Sequence, residues 1–187
     1  LNTNYFSILY QYYNVFPDWR FMISLSIKDT KNFMSQLLVK NTFDTLYISE
    51  ADIATSVTFS INGLINKDYY TQEEYEQLTH KKYSLWSDIK PVCFNLIKGK
   101  KVPASMKLVF IFPDSLCEHI ISDYSLAYSL PDINALCINI KYFNGCVTIT
   151  TGTSLNMFTM DKSVDAAFDD YIKKHLYNAG IDYEELN

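Results

Sequence analysis

Four hydroxyl side chains crowd one glycine in the stretch "TITTGTSLNMFTMDKS", which runs from Thr148 to Ser163. Thr150, Thr151, Thr153 and Ser154 can donate hydrogen bonds to an anion, and Gly152 can open a backbone nest. Thr151, Gly152, Thr153 and Ser154 are therefore the candidate anion-binding set. The competing reading is a turn. Val147 and Ile149 alternate before Gly152, and Leu155, Met157 and Thr159 alternate after it, the pattern of a hairpin. The hairpin reading is preferred, with Asp161 capping the helix that follows.

A second chemistry-bearing stretch is "LIKGKKVPASMK" (96–107), which places Lys98, Lys100, Lys101 and Lys107 around Gly99. Such a cluster can meet phosphate, nucleic acid or an acidic protein. It is also what a helix C-terminus ordinarily carries. A third stretch, 67–86, offers Tyr69, Tyr70, Tyr75, Tyr83 and Trp86 as amphipathic aromatics of the kind that mark partner interfaces. Tyr69, Tyr70, Tyr83, Trp86, Lys98, Lys100 and Lys101 form the candidate partner-binding set. The alternative is that the aromatics close the sheet at its edge.

Other chemistries find little support. The chain has 5 glycines, none clustered, which argues against phosphate loops and dinucleotide folds. His80, His119 and His175 lie far apart, and no Cys-x-x-Cys or His-x-x-x-His pair exists, so neither a metal nor a cofactor is expected. No Gly-x-Ser-x-Gly elbow is present, and no catalytic residue is assigned. His175 is expected to edge the apolar stripe of the last helix. Asp44, Glu50, Asp52 and Asp68 stay open as general acids or bases, against their plainer reading as solvated strand ends.

The bulk properties agree with a packed domain. The chain has 187 residues, 48% of them apolar, with 15 Tyr and 12 Phe. The net charge of −5 argues against nonspecific nucleic-acid coating and favours a protein partner. Cys93, Cys117, Cys137 and Cys146 form no paired motif, and three sit in apolar runs, as reduced thiols of a cytoplasmic protein do. No apolar run is long enough for a membrane span. Residues 1–21 carry eight aromatics and two charges without the marks of a signal peptide, and a strand starts at Met22. They are expected to be a non-native upstream extension, the alternative being an aromatic segment that packs on the domain.

The elements that must position these residues follow from periodicity. Strands are expected at 22–29, 43–50, 54–61, 64–70, 105–113, 133–142, 146–151 and 154–160. Asn62-Gly63 and Asn144-Gly145 are expected as hairpin turns. Helices are expected from Asp29 to Val39, around 72–78, over 84–99 with Pro91 in the first turn, from Asp114 to Tyr124, and from Asp161 to Gly180. Residues 22–180 then form one α+β domain, and 181–187 an acidic tail. Strand–helix–three strands occurs at 22–70 and again at 105–160. Two such units make a mainly antiparallel sheet with helices on one face.

"MISLSIKDTKNFMSQLLVKNTFD", "YSLWSDIKPVCFNLIKGKKVPASMKLVF" and "VTITTGTSLNMFTMDKS" together resemble an uncharacterised protein family of anaerobic Firmicutes, chiefly Clostridia. The resemblance covers Met22 to about Lys174 and implies no activity. The repeated unit is also similar, in topology alone, to the halves of processivity-clamp domains. The leading expectation is a non-enzymatic binding module. The alternative is a small-molecule or phosphate-binding protein or enzyme that uses the 148–154 turn together with the 98–107 lysine loop.

Overall fold

A computed structural model describes residues 20–78, 82–99 and 101–186, with side chains from Ile23 onward. The expectations for residues 1–19, His80 and Lys100 lie outside the described residues. Eight antiparallel strands build one sheet: β1 (Arg20–Ile27), β2 (Tyr47–Ala54), β3 (Thr58–Asn62), β4 (Ser84–Leu85), β5 (Ser105–Ile111), β6 (Ile133–Phe143), β7 (Cys146–Leu155) and β8 (Tyr183–Leu186). Their order is β3-β2-β5-β6-β7-β1-β8, and β4 pairs with β2 beyond the end of β3. Among the described residues five helices accompany them: α1 (Thr30–Leu38), α2 (Gln72–Gln77), α3 (Trp86–Ile97), α4 (Asp114–Asp123) and α5 (Ser163–Asn178). The fold is α+β, as expected.

One face of the sheet carries the core. Leu25, Ile53, Leu108, Ile140 and Ile149 are all fully buried there, at alternate positions of their strands. Helix α5 presses Val164, Ala167, Phe168, Ile172 and Leu176 onto this layer, a stripe at helical spacing. Its end is set by Gly180, whose φ of +67° only glycine adopts freely. Helix α1 buries Phe33, Leu37 and Leu38 and is capped by Asp29, which accepts from the Asn32 N–H at 2.9 Å. Thr71 and Glu74 cap α2 reciprocally.

Several expected elements are corrected. Asn62-Gly63 turns no hairpin: β3, the strand before it, pairs back with β2 across a turn at 55–57, where the Thr55 N–H donates to the Val57 carbonyl. Gly63 serves a different need. Its N–H donates to the Ser49 carbonyl at 2.9 Å, opposite a bulge in β2, and a Cβ there would lie 1.8 Å from the Ile48 carbonyl oxygen. Residues 64–70 are not a returning strand, since only an isolated Leu64–Tyr83 bridge and a 3₁₀ turn at Lys67–Tyr69 form. Asn144-Gly145 does turn the β6–β7 hairpin, with φ of +49° and +82°. Helix α3 starts at Trp86, which leaves Pro91 at its sixth residue and not in its first turn. The reason is anchoring: the Trp86 N–H donates to the Leu46 carbonyl at 2.9 Å and fixes the chain there. Asp114 and Asp161 sit one place from the cap positions expected of them.

The largest correction concerns Gly152. Strand β7 runs through it without a turn, pairing Gly152 with Cys137 on one side and Phe21 on the other. Residues 156–160 then form an irregular loop in place of the expected strand. The element order consequently repeats as strand–helix–strand–strand–helix–strand, at β1-α1-β2-β3-α2-β4 and β5-α4-β6-β7-α5-β8. The echo does not extend to pairing. β5 joins β2 to β6, whereas β1 joins β7 to β8.

Candidate functional site

Strand β7 places Thr151 and Thr153 in phase with Val147 and Ile149, on the face that α5 covers, and both threonines are buried. Their hydroxyls are already engaged. Thr151 Oγ1 donates to Asp169 Oδ1 at 2.6 Å and accepts from the Ile23 N–H at 3.1 Å. Thr153 Oγ1 donates to Asp165 Oδ1. Ser154 Oγ accepts from Asn134 Nδ2 at 3.0 Å. Asp165 and Asp169 stand one helical turn apart on α5, and Lys162 reaches Asp165 Oδ2 at 3.3 Å. Burial pushes the Asp169 carboxyl above its usual range, and the Thr151 hydrogen bond opposes that rise. These contacts dock a helix on a strand. A second anion here would face two carboxylates at close range, an unfavourable arrangement.

The lysine loop lies elsewhere. Ser105, just past it, pairs with Ala54 of β2 and Phe143 of β6, and Phe143 pairs with Cys146 at the start of β7. Cys146 and Ser154 lie eight residues apart on one strand, or roughly 26 Å at the usual rise. The two halves of the anion-site expectation therefore stand at opposite ends of the sheet, and no single small-molecule site can use both.

Around the lysine loop three connections converge. The 55–57 turn, the 98–104 loop and the 144–145 turn all border the Ala54–Ser105–Phe143 row, and the Ala104 N–H donates to the Ala54 carbonyl at 2.8 Å. Val57, Val102 and Phe143 are displayed there at 58%, 77% and 57% exposure. Lys98 and Lys101 are exposed beside them, and Lys98 Nζ lies 5.9 Å from the Phe94 ring centroid. Two residues further along the strands, Lys107 faces Lys141. Lys107 pairs with Glu50 at 2.9 Å. Burial, and then the Lys107 charge, hold the Lys141 ammonium below its usual range. This end of the sheet is thus apolar with a cationic rim, a combination that only a fold bringing 57, 102 and 143 together can make.

The aromatic set divides. Tyr69 is exposed and meets half-buried Tyr70 edge-on at 5.2 Å. Tyr83 is half buried, which raises its phenol above the usual range. Trp86 is not a surface residue. It is fully buried, packs edge-on against Phe110 at 5.1 Å, and donates from Nε1 to the Leu37 carbonyl at 2.9 Å. An indole that spans two helices and the sheet in this way is a core anchor.

A cavity of about 70 Å³ lies under α5, lined by Thr42, Phe43, Leu46, Tyr171 and His175 among others. His175 stacks on Tyr171 at 6.2 Å, and its Nε2 is buried without a hydrogen-bond partner. Burial holds the imidazole below its usual range, and a hydrogen bond with the Thr42 backbone opposes this. The space is well below the roughly 300 Å³ at which ligand pockets begin. Asp44 is ion-paired with Lys90 at 2.5 Å, and Glu50 with Lys107, which occupies two of the four candidate acid–base carboxylates. Among the described residues no three His, Cys, Asp or Glu side chains gather as metal ligands, and no helix is long and apolar enough to cross a membrane.

With a mixed sheet-and-helix fold and an apolar, cationic sheet end in place, the chain falls in the class of α+β proteins. It belongs to the family of unknown function DUF5721, whose model matches residues 36–184. No match was found among curated proteins or among solved structures.

Proposed function

We propose that this protein is a non-enzymatic binding module whose partner is a protein carrying acidic and apolar groups. The observation that carries the proposal is the display of Val57, Val102 and Phe143 on three converging connections, with Lys98 and Lys101 beside them. Exposed apolar side chains gathered at one end of a sheet, with cations beside them, favour a partner over solvent there. The net charge of −5 makes a protein partner the better fit than nucleic acid, because the cationic rim is local. A cytoplasmic setting in a bacterium of the Firmicutes type belongs to the same reading. Supporting it are four unpaired thiols, with burial pushing Cys93 up to about 11 and Cys117 up to about 12, so that neither is reactive near neutrality. A clamp-like organisation rests on the resemblance of the expected strand–helix–three-strand unit, whereas the unit that repeats is strand–helix–strand–strand–helix–strand.

The test is affinity capture from the native organism with the parent chain and with the variant Val57→Asp/Val102→Asp/Phe143→Asp. The proposal expects a specific protein retained by the parent and lost by the variant, with the circular dichroism of the two unchanged. Retention of the same protein by the variant would refute it.

A further inference from the structure

Strand β3 is the first strand of the sheet, and its outer side pairs with no described strand. The hydrogen bonds at its two ends fix its phase. The Thr55–Val57 and Gly63–Ser49 bonds are both of the closely spaced kind, so Phe59 and Ile61 bond inward to Ile53 and Ala51. The backbone N–H and C=O groups of Thr58, Ser60 and Asn62 therefore point out of the sheet. Phe59 and Ile61 stand on the core side, in register with buried Ile53 and Ala51, yet Phe59 is 37% exposed. The strand contains no charge, no proline and no bulge against β2. Edges left in this state are templates for another strand. The opposite edge, β8, carries Glu184 and Glu185, whose charges would oppose one another in a second copy.

We propose that β3 pairs antiparallel with β3 of a second copy of this chain, about a twofold axis through Ser60. Three features of the strand and its surroundings favour this occupant. Pairing Ser60 with Ser60 and Thr58 with Asn62 brings every outward-pointing backbone group of one copy opposite one of the other. The same register sets Phe59 against Ile61 of the second copy, in a widely spaced pair where side chains approach most closely, and so continues the apolar layer across the axis. Charges also match. The Leu64–Tyr83 bridge and the bond from the Ile65 N–H to the Lys82 carbonyl hold the base of the loop that carries Glu73, Glu74 and Glu76 at the end beyond Asn62, and the antiparallel crossing turns that end toward the one that carries Lys98 and Lys101. A five-residue ladder is short, so the dimer is expected to be concentration-dependent.

Sedimentation velocity over a wide concentration range tests this. The parent chain should move from monomer toward dimer as concentration rises. Ser60→Pro removes an N–H that β2 does not use, and should weaken dimerisation at least about tenfold, a loss of some 1.4 kcal/mol, with circular dichroism unchanged. Should the proline variant fail to fold, Ser60→Lys and Ser60→Glu take its place. Each alone is expected to stay monomeric where the parent dimerises, and their equimolar mixture to recover the dimer, because position 60 meets itself. A parent that stays monomeric throughout overturns the proposal. So does a Ser60→Pro or Ser60→Lys variant that dimerises like the parent, or a Lys/Glu mixture that remains monomeric.

Discussion

Gly63 and His175 show how single positions in this chain answer to distant backbone. Gly63 carries the strand past the bulge at Ser49, where any Cβ would lie inside the contact distance of the Ile48 carbonyl. Since backbone and not a flexible side chain is in the way, Gly63→Ala should cost about 3 kcal/mol or more, read from denaturant melts of parent and variant. His175 titrates in a different sense. Its imidazole is held below the ordinary value of about 6.5 by burial, so the unfolded chain takes up a proton at a pH where the folded chain does not. Stability is therefore full above the unfolded value and falls as pH drops from there toward the depressed folded value. Melts between pH 7 and pH 5 should show the fall in the parent and a shallower one in His175→Leu. An unchanged slope in the variant would assign the acid sensitivity to other groups.

At the scale of elements, the joint between β7 and α5 is polar inside an otherwise apolar layer. Thr153 donates to buried Asp165, and Thr151 to Asp169. Removing one partner leaves a buried carboxylate without its donor, and Thr153→Val should cost about 2 kcal/mol. Asp165→Leu should then cost less in the Thr153→Val background than in the parent, and equal costs would show that the two do not act together. Part of this was legible in the sequence. Asp29 and Asn144-Gly145 did what local chemistry predicts of a cap and a turn. The alternation of Val147 and Ile149 also continues unbroken into Thr151 and Thr153, which puts those hydroxyls inside. What misled was Gly152, because a glycine within a strand and a glycine at a turn have the same local sequence. The Asn62-Gly63 reading failed for a similar reason, since the demand for a glycine there comes from Ile48 across the sheet. Trp86 follows a strand only two residues long, so no periodicity marks which way its indole points, and its burial is decided by Leu37 and Phe110 far along the chain. The carboxylates of Asp165 and Asp169 went unread because their role needs β7 as a neighbour.

Over the whole molecule, the features that sequence places in separate stretches are sorted by the sheet to its two ends and its edges. The hydroxyl-rich stretch is spent on docking α5, while the lysine loop gains Val57, Val102 and Phe143 as neighbours. That separation is the ground for proposing a surface for a macromolecule over a small-ligand site. None of the three connections at that end is adjacent in sequence to another, so the surface was invisible until strands β2, β5, β6 and β7 were in register. The most direct test is hydrogen exchange on the complex formed with the captured partner. Slowed exchange is expected at 55–57, 101–104 and 143–146, with little change over α5. Protection confined to α5 or to the 156–162 loop, with the sheet end exchanging as in the free chain, would contradict it.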